Sequence, residues 1–193
     1  MIEPLRAASV AWYVTGRFYA ATDQTTQDLG YFLHLQGIEG SLFDGPPSEK
    51  TACFTFRSAP FTAQPVTNGD LSLGLDAVGE FTLYLKRRPG ASFDHPDSFS
   101  DGEPIATFRR ASVVMGTTFS APKNGGNLLS LNVFTASLTW SQEFEFRGAR
   151  YDLRQLLPHG ITQWGEASAT LLNAPQGFEK VSAFVGSAIA LGK

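Results

Sequence analysis

Three sets of polar side chains are embedded in aromatic, strand-like stretches of this sequence, and they are the residues best placed to do chemistry. Trp140 and Gln142 share one parity, Trp164 and Glu166 share another, and Tyr13, Arg17 and Tyr19 form the third. A buried charge or amide is costly unless it is paired, so a polar group on an aromatic face marks either a partner or a purpose. If the three faces turn inward, they line an aromatic cavity with one acid, one cation and several hydrogen-bond donors. Apolar walls with a few convergent polar groups describe a small-molecule pocket. If they turn outward, Arg17 and Glu166 are ordinary solvated side chains.

In the inward arrangement Glu166, His34 or Tyr13 supplies acid–base chemistry, and Arg17 or Gln142 stabilises developing negative charge. Trp12, Tyr19, Phe32, Gln36, Trp140, Gln142 and Trp164 then hold the ligand. His34 alternates with Phe32, Gln36 and Ile38, which fits either a hydrogen-bonded face histidine or an acid–base group. The other histidines, His95 and His159, lie far from it in sequence, and no metal site is expected. Cys53 has no local base and reads as an inert thiol. The loop from Phe93 to Glu103 gathers carboxylates without the EF-hand offsets. It reads as solvated, or as a mobile lid carrying Phe93 and Phe99 over a barrel mouth.

The common catalytic signatures are missing from the sequence. It contains no phosphate-binding Gly-x-x-x-x-Gly-Lys, no Gly-x-Ser-x-Gly elbow, no His-Glu-x-x-His and no Cys-x-x-Cys. No cofactor is therefore expected. A net charge of −3 with mixed signs argues against nucleic acid as a partner. Lys86-Arg87-Arg88 reads as a solvated strand end, with an anion site as the lesser reading. No apolar run is long enough for a membrane helix, and the N-terminus does not read as a secretory signal. A cytoplasmic protein, with a homo-oligomer among its allowed states, is the expectation.

These residues must be positioned by strands. Asn127 to Gly148 holds period-two alternation beyond the length of an ordinary strand. Phe134, Ala136, Leu138, Trp140, Phe144 and Phe146 fall on one parity, interrupted only by Gln142. Similar patterns recur over Val10–Ala20, Tyr31–Ile38, Thr51–Arg57, Leu71–Leu75, Gly79–Lys86, Ile105–Phe119, Ile161–Leu172 and Val181–Leu191. Asn68-Gly69 and Lys123 to Asn127 read as hairpin turns. The one helical candidate is Tyr151–Leu157, stopped by Pro158 and Gly160.

With 193 residues, 42% hydrophobic content and sixteen Phe, the chain can bury one large core. We expect one all-β domain over residues 1–193. A closed antiparallel barrel is favoured over a two-sheet sandwich, because strands this long leave exposed edges unless the sheet closes. In architecture alone this resembles calycin-like (lipocalin-like) and allene-oxide-cyclase-like barrels.

The expected function is binding of a hydrophobic or polycyclic small molecule in an aromatic cavity. Within it, a cofactor-free isomerisation, cyclisation or lyase step is slightly favoured over simple carriage. The rival is a non-catalytic module for carbohydrate or protein, or a self-assembling protein, with its surplus aromatics on an outer surface.

Overall fold

A computed structural model describes residues 3–23, 25–62, 64–68, 71–76, 79–110, 114–120 and 127–192. Its strands are β1 (Val10–Ala21), β2 (Thr26–Leu35), β3 (Phe54–Ser58), β4 (Gln64–Asn68), β5 (Leu71–Asp76), β6 (Glu80–Leu85) and β7 (Glu103–Arg110). They continue with β8 (Val114–Ser120), β9 (Asn127–Ser141), β10 (Phe144–Phe146), β11 (Ala149–Tyr151), β12 (Ile161–Leu172) and β13 (Phe178–Ala190). A short helix, α1 (Leu153–Leu156), is capped by the Asp152 carboxylate, which accepts from the Arg154 amide.

Eight strands close a barrel in the order β12-β13-β1-β2-β3-β6-β7-β9, with β9 returning to β12. Every neighbouring pair is antiparallel. The expected barrel is therefore present, and the sandwich is not. Gly16 and Gly30 face each other across β1 and β2. A Cβ on either would run into the carbonyl of Leu29 or Thr15, and the rings of Phe184 and Phe56 occupy the space a side chain would take. Two glycines thus let the wall curve tightly around large interior rings.

The extra residues that bend the strands fall elsewhere. Between Tyr13↔His34 and Val14↔Phe32 the β1–β2 register skips Leu33. Between Thr107↔Trp140 and Phe108↔Leu138 the β7–β9 register skips Thr139. Each such bulge reverses the side on which later residues emerge. The long alternating stretch is therefore not one strand. Its β9 portion ends at Ser141, and Phe144 and Phe146 belong to the separate β10–β11 hairpin, packed on Phe54 with ring centroids 6.0 and 4.8 Å apart.

The two ends of the barrel differ. One is plugged by that hairpin, by α1 and by the chain around Leu42 and Phe43; Leu153, Leu156 and Leu157 are all buried there. At the other, β8 joins the N-terminal half of β9, β5 joins β8, and β4 joins β5, carrying the sheet past the barrel. The two hairpin turns expected here lie largely outside the described residues, but the strands that flank them pair Asn68 with Leu71 and Ser120 with Asn127.

The acidic loop does not cover a mouth. It lies as a strap on the outside of β1, β2 and β3, over a small second core of Tyr19, Leu29, Ala91, Phe99 and Val181. The Tyr19 hydroxyl donates to the Phe93 carbonyl (2.8 Å), and Thr55 donates to the Phe99 carbonyl (2.7 Å). Arg57 reaches Asp97 and Ser100. Nor is Lys86 a solvated strand end: it is buried, and its ammonium donates to the carbonyls of Ser98 (2.7 Å) and Asp101 (2.8 Å). Burial lowers the Lys86 pKa, an effect only partly opposed by Asp101.

Candidate functional site

The barrel interior is aromatic, as expected, and its described side chains pack closely against one another. Trp12 meets Phe32 and Phe108 edge-on, each at 5.6 Å between centroids. Phe81 stacks on Phe108 at 5.3 Å, and Phe56 links Phe32 to Phe184. Two polar contacts are sealed among these rings. The Trp12 indole donates to the Gln163 amide oxygen at 3.0 Å. The Arg110 guanidinium meets Asp28 at 2.7 Å and lies over the rings of Phe61 (4.9 Å), Phe81 (5.7 Å) and Phe134 (5.0 Å). The space left between Asp28, Gln163 and the surrounding rings is about 10 Å³. That admits one water at most and no organic ligand.

Among the described residues, larger spaces lie outside the barrel: a cleft of about 340 Å³ beside Glu3, Arg150 and Tyr151 at the plugged end, and a groove on the outer wall. The groove, of about 400 Å³, runs over β12, β13, β1 and β2, lined by Tyr13, Leu33, Trp164, Glu166, Val185 and Ser187 together with Val14, Gly165 and Gly186. Trp164 is 65% exposed, Val185 57% and Tyr13 46%, values far from those of core side chains. Direct cross-strand pairing builds a row, His34–Tyr13–Ser187–Trp164–Val133, running perpendicular to the strands. A second row carries Thr15, Val185 and Glu166. At one end of the first row the His34 ring is hydrogen-bonded to the Gln36 amide oxygen (3.0 Å) and lies 5.9 Å from Tyr13. The groove holds one carboxylate and no cation among its lining residues.

The eleven sequence candidates therefore divide. Tyr13, Trp164 and Glu166 come together in the groove, and His34 and Gln36 border it. Trp12 and Phe32 are interior packing. Tyr19 and Arg17 belong to the strap contact, with the Arg17 guanidinium 4.2 Å above the Phe93 ring. Burial pushes the Tyr19 hydroxyl up to about 12, against the opposing pull of Arg17. Trp140 is outward because of the extra Thr139, and Gln142 donates to the Pro104 carbonyl at 2.7 Å, remote from the groove. The three aromatic–polar faces do not converge inside the barrel, because each lies on the outer parity of its strand or beyond a bulge.

Sequence reasoning missed the Asp28–Arg110 pair. Asp28 shares parity with Gly30 and Phe32, and Arg110 shares parity with Phe108, so alternation carried the signal. It was masked by the polar run before Tyr31 and by the neighbouring Arg109, which is exposed and paired with Glu80 at 2.9 Å. Among the described residues no three His, Cys, Asp or Glu side chains gather as metal ligands, and no helix is long and apolar enough to cross a membrane. Burial raises the Cys53 pKa, with Arg147 acting weakly against it. Fold and groove define an antiparallel barrel with an external aromatic surface. No protein-family model, curated protein or solved structure matches the chain.

Proposed function

We propose that this protein is a non-catalytic binding module whose ligand occupies the outer groove between Tyr13 and Trp164. The carrying observation is that exposed Tyr13 and Trp164 flank a groove of about 400 Å³, whereas the described interior space beside Asp28 and Gln163 is about 10 Å³. Groove volumes of this size suit a small organic ligand, and exposed aromatics flanking one carboxylate favour an uncharged, ring-bearing one. Catalysis is not favoured. Glu166 has no basic or acidic partner among the lining residues, and His34 is engaged by Gln36.

Titration with the neutral dye Nile red tests this reading. Saturable fluorescence gain is expected, weakened by Trp164→Ala or Tyr13→Ala. Phe108→Leu should lower stability and leave binding unchanged. Binding that survives Trp164→Ala and Tyr13→Ala but is lost in Phe108→Leu would place the ligand inside the barrel and overturn the proposal. Dimerisation that buries Trp164 and blocks the dye would overturn it in favour of self-assembly.

A further inference from the structure

Resting on that reading, we infer that the groove takes an extended, uncharged oligosaccharide lying across the strands, with one sugar ring on Trp164 and another on Tyr13. The two aromatics sit on β12 and β1 with β13 between them, so the row separates them by two interstrand steps, roughly 10 Å. That span exceeds a single pyranose ring. A chain of sugars running along the cross-strand row reaches both aromatics, and a monosaccharide reaches one.

The chemistry along the row alternates as a sugar chain requires. Each pyranose offers an apolar C–H face for stacking and a hydroxyl edge for hydrogen bonds. Between and beside the two rings lie the Ser187 hydroxyl, the Glu166 carboxylate and the His34–Gln36 pair. The Thr135 and Thr162 hydroxyls, 3.2 Å apart, extend the polar edge beside Trp164.

Other ligand classes fit less well. With Glu166 present and no lining cation, an anionic chain is repelled. A peptide adding itself as a strand needs a free sheet edge. At the two aromatics, β1 is paired with β2 and β13 at Tyr13 and β12 with β13 and β9 at Trp164, so recognition there goes through side-chain faces.

Calorimetry on the full chain, with Nile red displacement in parallel, tests the inference using cellohexaose, chitohexaose and mannohexaose, with cellobiose and a hexagalacturonate as comparators. At least one neutral hexasaccharide should displace the dye and bind about tenfold more tightly than the disaccharide, because only the longer chain bridges both rings. Trp164→Ala and Tyr13→Ala should each reduce that affinity about tenfold. Trp164→Phe should retain most of it, and Trp140→Ala, exposed but remote, should leave it unchanged. Failure of all three neutral hexasaccharides to displace a dye that does bind would overturn the sugar assignment and leave the groove as the binding site. Equal affinities for short and long chains would overturn the two-ring arrangement. Absence of any dye binding would sink both readings together.

Discussion

Trp12 and Tyr13 are adjacent in sequence and meet opposite fates, as do Gln163 and Trp164. The first of each pair is sealed in the barrel, where the Trp12 indole and the Gln163 amide satisfy each other. The second of each pair stands on the outer wall, largely open to solvent. Interior and wall are both aromatic with a few polar groups, so composition does not separate them. They differ in what surrounds the polar groups. Inside, Gln163 accepts from the Trp12 indole and Asp28 pairs with Arg110 among packed rings, which ties these groups to stability. On the wall, Glu166 and the ring faces of Trp164 and Tyr13 are left to solvent, which suits them to a ligand.

The sharpest way to break this comparison is to disturb the interior. Asp28→Ala leaves Arg110 buried among three rings without that carboxylate, so a loss of about 3–5 kcal/mol is expected in denaturant unfolding. Nile red binding of the folded fraction should not change. A variant as stable as wild type would mean that the interior pair is not under the constraint inferred from its burial.

Trp164→Ala is the converse. Ligand affinity should fall about tenfold, or about 1.4 kcal/mol, while unfolding free energy stays within about 0.5 kcal/mol of wild type. A large stability loss would show that the wall is structural after all.

The strap lies between these extremes, outside the barrel yet packed. Tyr19→Phe removes the hydroxyl bond to Phe93 and should cost about 1 kcal/mol at neutral pH. The folded Tyr19 value is raised to about 12 from an ordinary 10, so its contribution is intact below pH 10 and is lost as pH rises through about 12. The stability gap between wild type and variant should therefore narrow over that window. A gap that widened would contradict the burial of Tyr19.

The smallest effect concerns Cys53. Its raised pKa and burial predict slower labelling by a maleimide at neutral pH than for an exposed cysteine, with rapid labelling only on unfolding. Fast labelling of the native protein would place this part of the plugged end in solvent.

Much of this architecture was legible in the residues. The period-two runs over Val10–Ala20, Gly79–Lys86 and Ile161–Leu172 correspond to β1, β6 and β12, and Asp152 before Leu153 caps the short helix as the sequence allows. Trp164 with Glu166, and Tyr13 from the set with Arg17 and Tyr19, are sequence candidates that do meet in the groove. What sequence could not supply was the side of the wall. Alternation says that neighbours oppose each other, and it is symmetric with respect to inside and outside wherever both parities are aromatic. Two inserted residues, Leu33 and Thr139, then reverse the parity of His34 and Trp140, and a bulge without glycine or proline leaves no mark in composition.

The chain alone therefore determined an all-β fold rich enough in aromatics to fill a barrel, because hydrophobic periodicity is a local property of the sequence. Tertiary structure decided that Trp12, Phe32 and Phe108 pack the described interior, that the strap lies on the barrel's flank and that Tyr13 and Trp164 face outward. Those outcomes depend on strand register and closure, which are set by contacts between residues far apart in the chain, such as Tyr13 with Ser187 and Asp28 with Arg110.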